Sequence, residues 1–229
     1  EAVTSAHRPD GPTELGSEHP ARLRLAYDEL MAHQITLALA RASQRKQRGV
    51  STIGTGALQA KVLEALPYKP TGAQTRAISE ISADLKAPHR MNRLLQGDVG
   101  AGKTLVAFMA LLMVVEAGGQ GVMMAPTEIL ARQHLEGLQP LAADAGVALE
   151  LLTGRDKGRD RAAKLERLRT GDIQILVGTH AVFQDDVAFH NLRLSIIDEQ
   201  HRFGVRQRLQ LGAKGTAVDV LVMTATPIP

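Results

Sequence analysis

Two hydrophobic periods divide this chain. From residue 92 onward short apolar runs alternate with stretches of helical spacing. The runs at 121–125, 148–152, 173–177, 192–197 and 218–223 predict strands, and 128–138, 159–169 and 204–211 predict helices between them. Apolar runs without clear in–out alternation, joined by helices, are the mark of parallel strands covered on both faces. The predicted fold is therefore α/β, a mostly parallel sheet with helices on both faces. Upstream of residue 92 the pattern is helical only. Leu23, Tyr27, Leu30 and Leu37 share one face of a helix predicted over 21–48. A short helix over 57–66 ends at Pro67. Thr71 opens another, with Ala77, Ile78, Ile81 and Leu85 as its apolar face. Residues 1–19, with Pro9, Gly11, Pro12 and Gly16, read as linker or extended chain, and 49–56 (GVSTIGTG) as a flexible joint. These readings divide the chain into a helical extension, 1–56, and a main domain, 57–229.

In parallel sheets of this kind, ligands bind beyond the carboxyl ends of the strands. The polar clusters fall there: 97–104, 126–127, 153–154, 178–180, 198–201 and 224–226. The first cluster is Gly97, Asp98, Val99, Gly100, Ala101, Gly102, Lys103 and Thr104, which fits the phosphate-loop pattern G-x-x-x-x-G-K-[ST] between an apolar run and a helix. Glycines let successive N–H groups converge on one anion, and the helix adds its positive dipole end. Lys103 offers a mobile charge to the β- and γ-phosphates, and the Thr104 hydroxyl is a Mg²⁺ ligand. The run 105–115 is too short to span a bilayer. Residues 195–199 form an apolar strand ending in Asp198 and Glu199. Adjacent acids are costly to bury without a cation. Mg²⁺ carried in with a nucleotide supplies one, with Asp198 on the metal and Glu199 as general base toward water. Thr71 and Gln74 match a capping box, T-x-x-Q. Gln74 can cap its helix or read an adenine edge, since its amide carries both a donor and an acceptor. Arg41, Arg45, Lys46 and Arg48 suit either DNA phosphates or a helix C-terminus.

Composition narrows the classes. Aromatics are 3% and Trp is absent, which excludes an aromatic-rich module that stacks single strands. The net charge of +3 permits a nucleic-acid partner without requiring one. With no cysteine there is no disulfide and no thiolate metal site, in keeping with a reducing cytoplasm. No secretory or transit signal is visible. A start at Glu1 and a stop at Pro229 in mid-motif suggest a piece of a longer protein.

Residues 97–104 (GDVGAGKT), 125–134 (APTEILARQH), 178–180 (GTH), 198–208 (DEQHRFGVRQR) and 224–229 (TATPIP) stand in the order of superfamily-two helicase motifs. Their wording resembles the RecG family of ATP-dependent DNA helicases, bacterial enzymes that branch-migrate forks and junctions in repair and recombination. DEQH followed by RFGV is the most specific piece. The resemblance runs from about residue 21 to 229 and covers the first of two RecA-like motor domains. Segment 21–39 is similar to the helical connection from the family's wedge domain.

The resemblance implies ATP and Mg²⁺ as cofactors. It implies branched double-stranded DNA, a second RecA-like domain and a wedge domain as partners, and a cytoplasmic, nucleoid-associated location without membrane. It implies that Lys103, Asp198 and Glu199 are catalytic, with Thr104 and Asp198 on the metal. Loop 97–104 would bind nucleotide together with Gln74 and with Tyr68, which stacks on the base. Gln200, His201, Thr224 and Thr226 would couple hydrolysis to movement, and Pro126, Thr127, Gly178 and Thr179 would line the DNA track. Ala101 stands where the family often has Ser, and Pro70 where it usually has an apolar residue. Alone, such a piece is expected to be nearly inactive, since arginine fingers of a second domain contribute ~10³–10⁵ in rate. Two other readings are open: a transcription-repair coupling translocase, whose family typically reads DEEH at 198–201, and a nucleotide-gated DNA-binding module that does not hydrolyse.

Overall fold

The computed structural model describes residues 2–8, 11, 16–45, 48–199 and 217–225. The chain divides into two compact units, Glu1–Gln47 and Arg48–Pro229. In the first, α1 (Ala2–His7) packs on α2 (Pro20–Arg45). The extended reading of 1–19 is thus corrected, since 2–7 form a helical turn and a half. Leu23, Tyr27 and Leu30 share their face of α2 as the spacing predicts, and all three are exposed. Arg24 lies over the Tyr27 ring, 5.9 Å from its centroid. The side chains of Arg41 and Arg45, and Lys46 altogether, lie outside the described residues.

The second unit is built on six strands: β1 (Asn92–Gln96), β2 (Gln120–Met124), β3 (Leu149–Leu152), β4 (Ile175–Gly178), β5 (Leu192–Asp198) and β6 (Asp219–Thr224). Their order is β1-β6-β5-β2-β4-β3, and every neighbouring pair is parallel. The helices are α3 (Ala57–Ala65), α4 (Gly72–Lys86), α5 (Lys103–Glu116), α6 (Glu128–Ala145) and α7 (Gly158–Thr170), with a 3₁₀ turn at His180–Phe183. Side chains alternate across the sheet. Met123, Ile175, Val177, Leu194, Ile196, Leu221 and Met223 face a core shared with α3, α4, α5 and α6. Val122, Met124, Leu176 and Ile197 face a second core with Leu168 of α7 and with Val182 and Phe183. Helix α5 is apolar all round, and every residue of 105–115 is buried, as expected of a helix enclosed on all sides.

Two boundaries differ from the periodicity. Helix α6 continues past Pro140. That residue is exposed, so the carbonyl it frees faces water, while Leu138, Ala142 and Ala145 keep the inner face packed. The segment 49–56 is a strap, which corrects the flexible joint. Its Gly49 and Thr52 N–H groups donate to Pro88 O (2.9 Å) and Leu85 O (2.8 Å). The compact unit accordingly starts at Arg48, ahead of the boundary at 57. Glu116, at the end of α5, accepts from Thr55 Oγ1 (2.7 Å) and from the N–H groups of Gly56 (2.7 Å), Ala57 (2.7 Å) and Leu58 (3.4 Å). A carboxylate is unfavourable at the C-terminus of α5 and favourable at the N-terminus of α3, whose N-cap Gly56 has no side chain to do the work. Burial pushes the Glu116 pKa up, but the four hydrogen bonds outweigh it and leave it below the usual carboxylate value. The predicted helix at 204–211 lies outside the described residues.

At the amino end of the strand, Asp219 opens β6 and is buried. Its Oδ1 accepts from Met91 N–H at 2.7 Å. Burial pushes its pKa up to about 6, against the Met91 N–H, Arg193 and Arg90, which pull it down. A raised acid stabilises the fold when protonated. The contribution is complete below pH 3.8, the ordinary value for an aspartate, and is lost as pH rises through about 6. Asp219→Asn keeps the acceptor and removes the proton. Urea unfolding of both proteins between pH 4 and 7 should show the variant gaining on the wild type as pH rises, by at most about 3 kcal/mol. A difference independent of pH would contradict the assignment.

Glu116→Gln should cost about 1–2 kcal/mol in the same assay at neutral pH, because a charge-assisted cap is exchanged for a neutral one. An unchanged denaturation midpoint would show that the strap is held by its own backbone bonds.

Candidate functional site

The loop 97–104 joins the last residue of β1 to the first turn of α5. Gly102 is the helix N-cap in the left-handed region (φ 75°). A β-carbon there would lie 2.2 Å from Gln74 Nε2. The left-handed backbone favours glycine there, and any β-carbon would push the end of the Gln74 side chain aside. Lys103 Nζ donates to Gly97 O (2.6 Å) and Asp98 O (2.8 Å), so the ammonium is folded back on its own loop. Val99, at the loop's tip, is 89% exposed. The capping box is present: Thr71 Oγ1 accepts from Gln74 N–H at 3.2 Å, and Gln74 Oε1 accepts from Thr71 N–H at 2.8 Å. The other end of the same amide, Nε2, donates to Ala101 O at 2.9 Å. Gln74 thus caps α4 and touches the phosphate loop at once. Tyr68 stands exposed on the turn leading to Thr71.

One strand, β6, separates the loop from the acids. Gln96 pairs in register with Thr224, and Asp198 with Met223. Gly97 N–H donates to Thr224 O at 3.4 Å, and Glu199 N–H to Met223 O at 3.0 Å. The start of the phosphate loop and the second acid are therefore tied to consecutive carbonyls. Glu199 has φ 54°, a left-handed conformation that costs a non-glycine residue roughly 1–2 kcal/mol. It turns the chain off the strand line just where the carboxylate is presented. Thr224 is buried at the end of β6. Gln200, His201 and Thr226 lie outside the described residues.

Pro126 and Thr127 follow β2, where Thr127 Oγ1 caps α6 by accepting from Leu130 N–H at 3.3 Å. Ala125 N–H donates to Gly178 O at 2.9 Å, which joins this turn to the end of β4. Gly178 and Thr179 are buried, and a β-carbon on Gly178 would lie 2.7 Å from Leu152 O. What these two residues expose at the surface is the turn they set up, beginning at His180.

Two features escaped the sequence reading. His134 Nε2 is 2.8 Å from Asp198 Oδ2, with both side chains 12% exposed. A signal existed. His134 falls three residues after Ala131 and four before Leu138, both buried, so helical spacing puts an imidazole on the inner face of α6. The second is Asp156, whose Oδ2 accepts from Thr153 N–H (2.7 Å) and whose Oδ1 pairs with Lys164 (2.6 Å). Burial raises its pKa, and Lys164 and Thr153 bring it below the usual value. These bonds fold the turn beyond β3. Neighbouring Arg155 pairs with Glu128 at 3.1 Å, linking that turn to the start of α6.

Among the described residues no cluster of three or more His, Cys, Asp or Glu is placed to hold a metal. One aspartate and one threonine suit a cation that brings phosphate oxygens and waters with it, as Mg²⁺ does with a nucleotide. Asp198 and Thr104 therefore fit Mg²⁺ in that form. Among the described residues no helix is long and apolar enough to cross a membrane.

A parallel sheet with a phosphate loop on one strand and paired acids two strands away is a RecA-like nucleotide-binding domain. Comparison with known proteins is consistent with this. A DEAD/DEAH box helicase model matches residues 71–229, and the chain belongs to that family. It is 45% identical over 237 aligned residues to the ATP-dependent DNA helicase RecG of Escherichia coli (strain K12), covering 100% of this chain and 34% of that protein. Against the RecG of Bacillus subtilis (strain 168) it is 46% identical over 230 residues, covering 100% and 33%. The chain thus spans about a third of the length of these relatives. A solved structure of RecG bound to a three-way DNA junction superposes with a TM-score of 0.81 at 42% identity, covering 100% of this chain and 30% of that one. The Pyrococcus furiosus Hef helicase domain shares the fold (TM-score 0.55, 23% identity, 70% and 33% covered).

The double role of Gln74 is open to a thermodynamic cycle. Gly102→Ala should destabilise by roughly 1–2 kcal/mol from the left-handed backbone and by about 1 kcal/mol more from eviction of Gln74 from Ala101 O. In a Gln74→Ala background the second part should vanish, leaving a coupling of about 1 kcal/mol by denaturant titration. Strict additivity would mean that the contact does not hold the loop.

Proposed function

We propose that this chain is the ATP-binding first motor domain of an ATP-dependent DNA helicase that acts on forks and junctions in repair and recombination. The observation that carries the reading is the pairing of loop 97–104 and Asp198–Glu199 on either side of β6. Loop amides and Lys103 receive the phosphates. Lys103 exchanges the carbonyls of Gly97 and Asp98 for β- and γ-phosphate oxygens. Gln74, already against the loop, and exposed Tyr68 take the base. Thr104 and, through water, Asp198 hold Mg²⁺, which neutralises charge on the transferring phosphoryl group when bound. Glu199 orients the attacking water and accepts its proton as the oxygen bonds to the γ-phosphorus and the bond to the β–γ bridging oxygen breaks.

The remaining roles follow the resemblance of the motifs. Pro126, Thr127 and the turn set by Gly178 and Thr179 line the track for branched double-stranded DNA. Thr224 relays nucleotide state, joined by Gln200, His201 and Thr226. A second RecA-like domain supplies arginines for the transition state. Residues 1–56 lead from a wedge domain that splits the junction. The protein works in the bacterial cytoplasm. Action on junctions is supported by the three-way DNA junction bound in the RecG structure that this chain resembles.

Nucleotide binding and turnover test the reading. Lys103→Ala should abolish binding of a fluorescent ATP analogue. Glu199→Gln should bind as the wild type does and stop hydrolysis. Wild-type turnover by this chain alone should stay near background even with branched DNA. Brisk turnover, or wild-type binding by Lys103→Ala, would reject it.

A further inference from the structure

We infer that His134 is a positioning residue that aims the Asp198 carboxylate at the nucleotide-borne cation. The inference rests on the reading of Asp198 as the metal-side acid. An ionised carboxylate only accepts hydrogen bonds, so His134 Nε2 carries the hydrogen and donates to Oδ2 across 2.8 Å. Asp198 is the last residue of β5, where pairing with Met223 fixes its backbone and leaves its carboxylate to be aimed by side-chain neighbours. The bond engages Oδ2 and leaves Oδ1 for water on the metal. The imidazole is itself fixed. It rides on α6, a helix capped by Thr127 and anchored by buried Ala131 and Leu138 on either side of it. With both side chains 12% exposed, little solvent competes for the bond. Partners that orient a metal-binding carboxylate in this way govern metal affinity without touching the ion.

The arrangement has a second consequence. Helix α6 is capped by Thr127, part of the proposed DNA track, and His134 on its inner face reaches the metal-side acid. One element therefore carries residues toward both sites.

A purely structural pairing would make the same contact, so the test separates metal affinity from folding. ADP affinity is measured on this chain with Mg²⁺ and with EDTA, together with the thermal midpoint, for the wild type and four variants. His134→Phe keeps the ring and loses the donor. His134→Asn folds as a polar residue whose amide stops short of Oδ2. His134→Gln places an amide N–H near the Nε2 position. Asp198→Asn tests the underlying reading. In His134→Phe and His134→Asn, the factor by which Mg²⁺ tightens ADP should fall about tenfold or more, with EDTA affinity unchanged, and His134→Gln should restore most of it. If His134→Phe and His134→Asn keep the wild-type Mg²⁺ factor while Asp198→Asn loses it, the inference fails and the metal reading stands. If Asp198→Asn itself keeps the factor, both fail. Equal losses with Mg²⁺ and EDTA would make His134 structural only.

Discussion

The parallel ladder of β1, β6 and β5 is the constraint on which the site depends. Parallel neighbours end together only when their register is aligned, and here Gln96, Thr224 and Asp198 end their strands almost level. At about 4.8 Å per strand, the phosphate loop and the acids emerge about 10 Å apart. That spacing leaves room for a triphosphate and a hydrated cation. Slipping β6 by one residue would reverse the faces of every side chain on it and unseat the carbonyls that hold Gly97 and Glu199. The chemistry is thus set by a backbone feature, and the side chains act from ends that the ladder has already placed.

Helix α5 keeps those ends rigid. Its first residue is Lys103 and its last is Glu116, and residues 105–115 between them are buried. At one end Lys103 and Gln74 brace the phosphate loop, and at the other Glu116 pins the strap and the start of α3. A displacement of the loop is resisted through the body of the helix by α3, α4 and the sheet together. The His134–Asp198 contact does the same for the acid side, through α6 in place of α5.

The fold class and the positions of the candidate motifs at strand and helix ends were legible because each has a local signature. A G-x-x-x-x-G-K-T run between strand and helix, an apolar strand ending in DE, and a T-x-x-Q cap all depend on neighbours in sequence. Strand order did not have such a signature. That β6 lies against β1 joins residues more than a hundred positions apart, and no periodicity reports it. The strap 49–56 read as flexible because glycine and threonine dominate it, whereas its order comes from Glu116, Leu85 and Pro88, which are distant in sequence. Gln74 offered capping and adenine contact as alternatives. The structure shows the cap, and the Nε2 of the same amide reaches the phosphate loop at Ala101 O. His134 was legible in principle, as a polar residue on a buried helical face, but its partner lies 64 residues on.

The most direct measurement is a crystal structure of this chain with Mg²⁺ and a non-hydrolysable ATP analogue. The account predicts the γ-phosphate between Lys103 Nζ and the end of β5, with the ammonium drawn away from the Gly97 and Asp98 carbonyls and a metal-bound water on Asp198. A triphosphate bound elsewhere, or one at the loop with its metal turned away from β5, would contradict it.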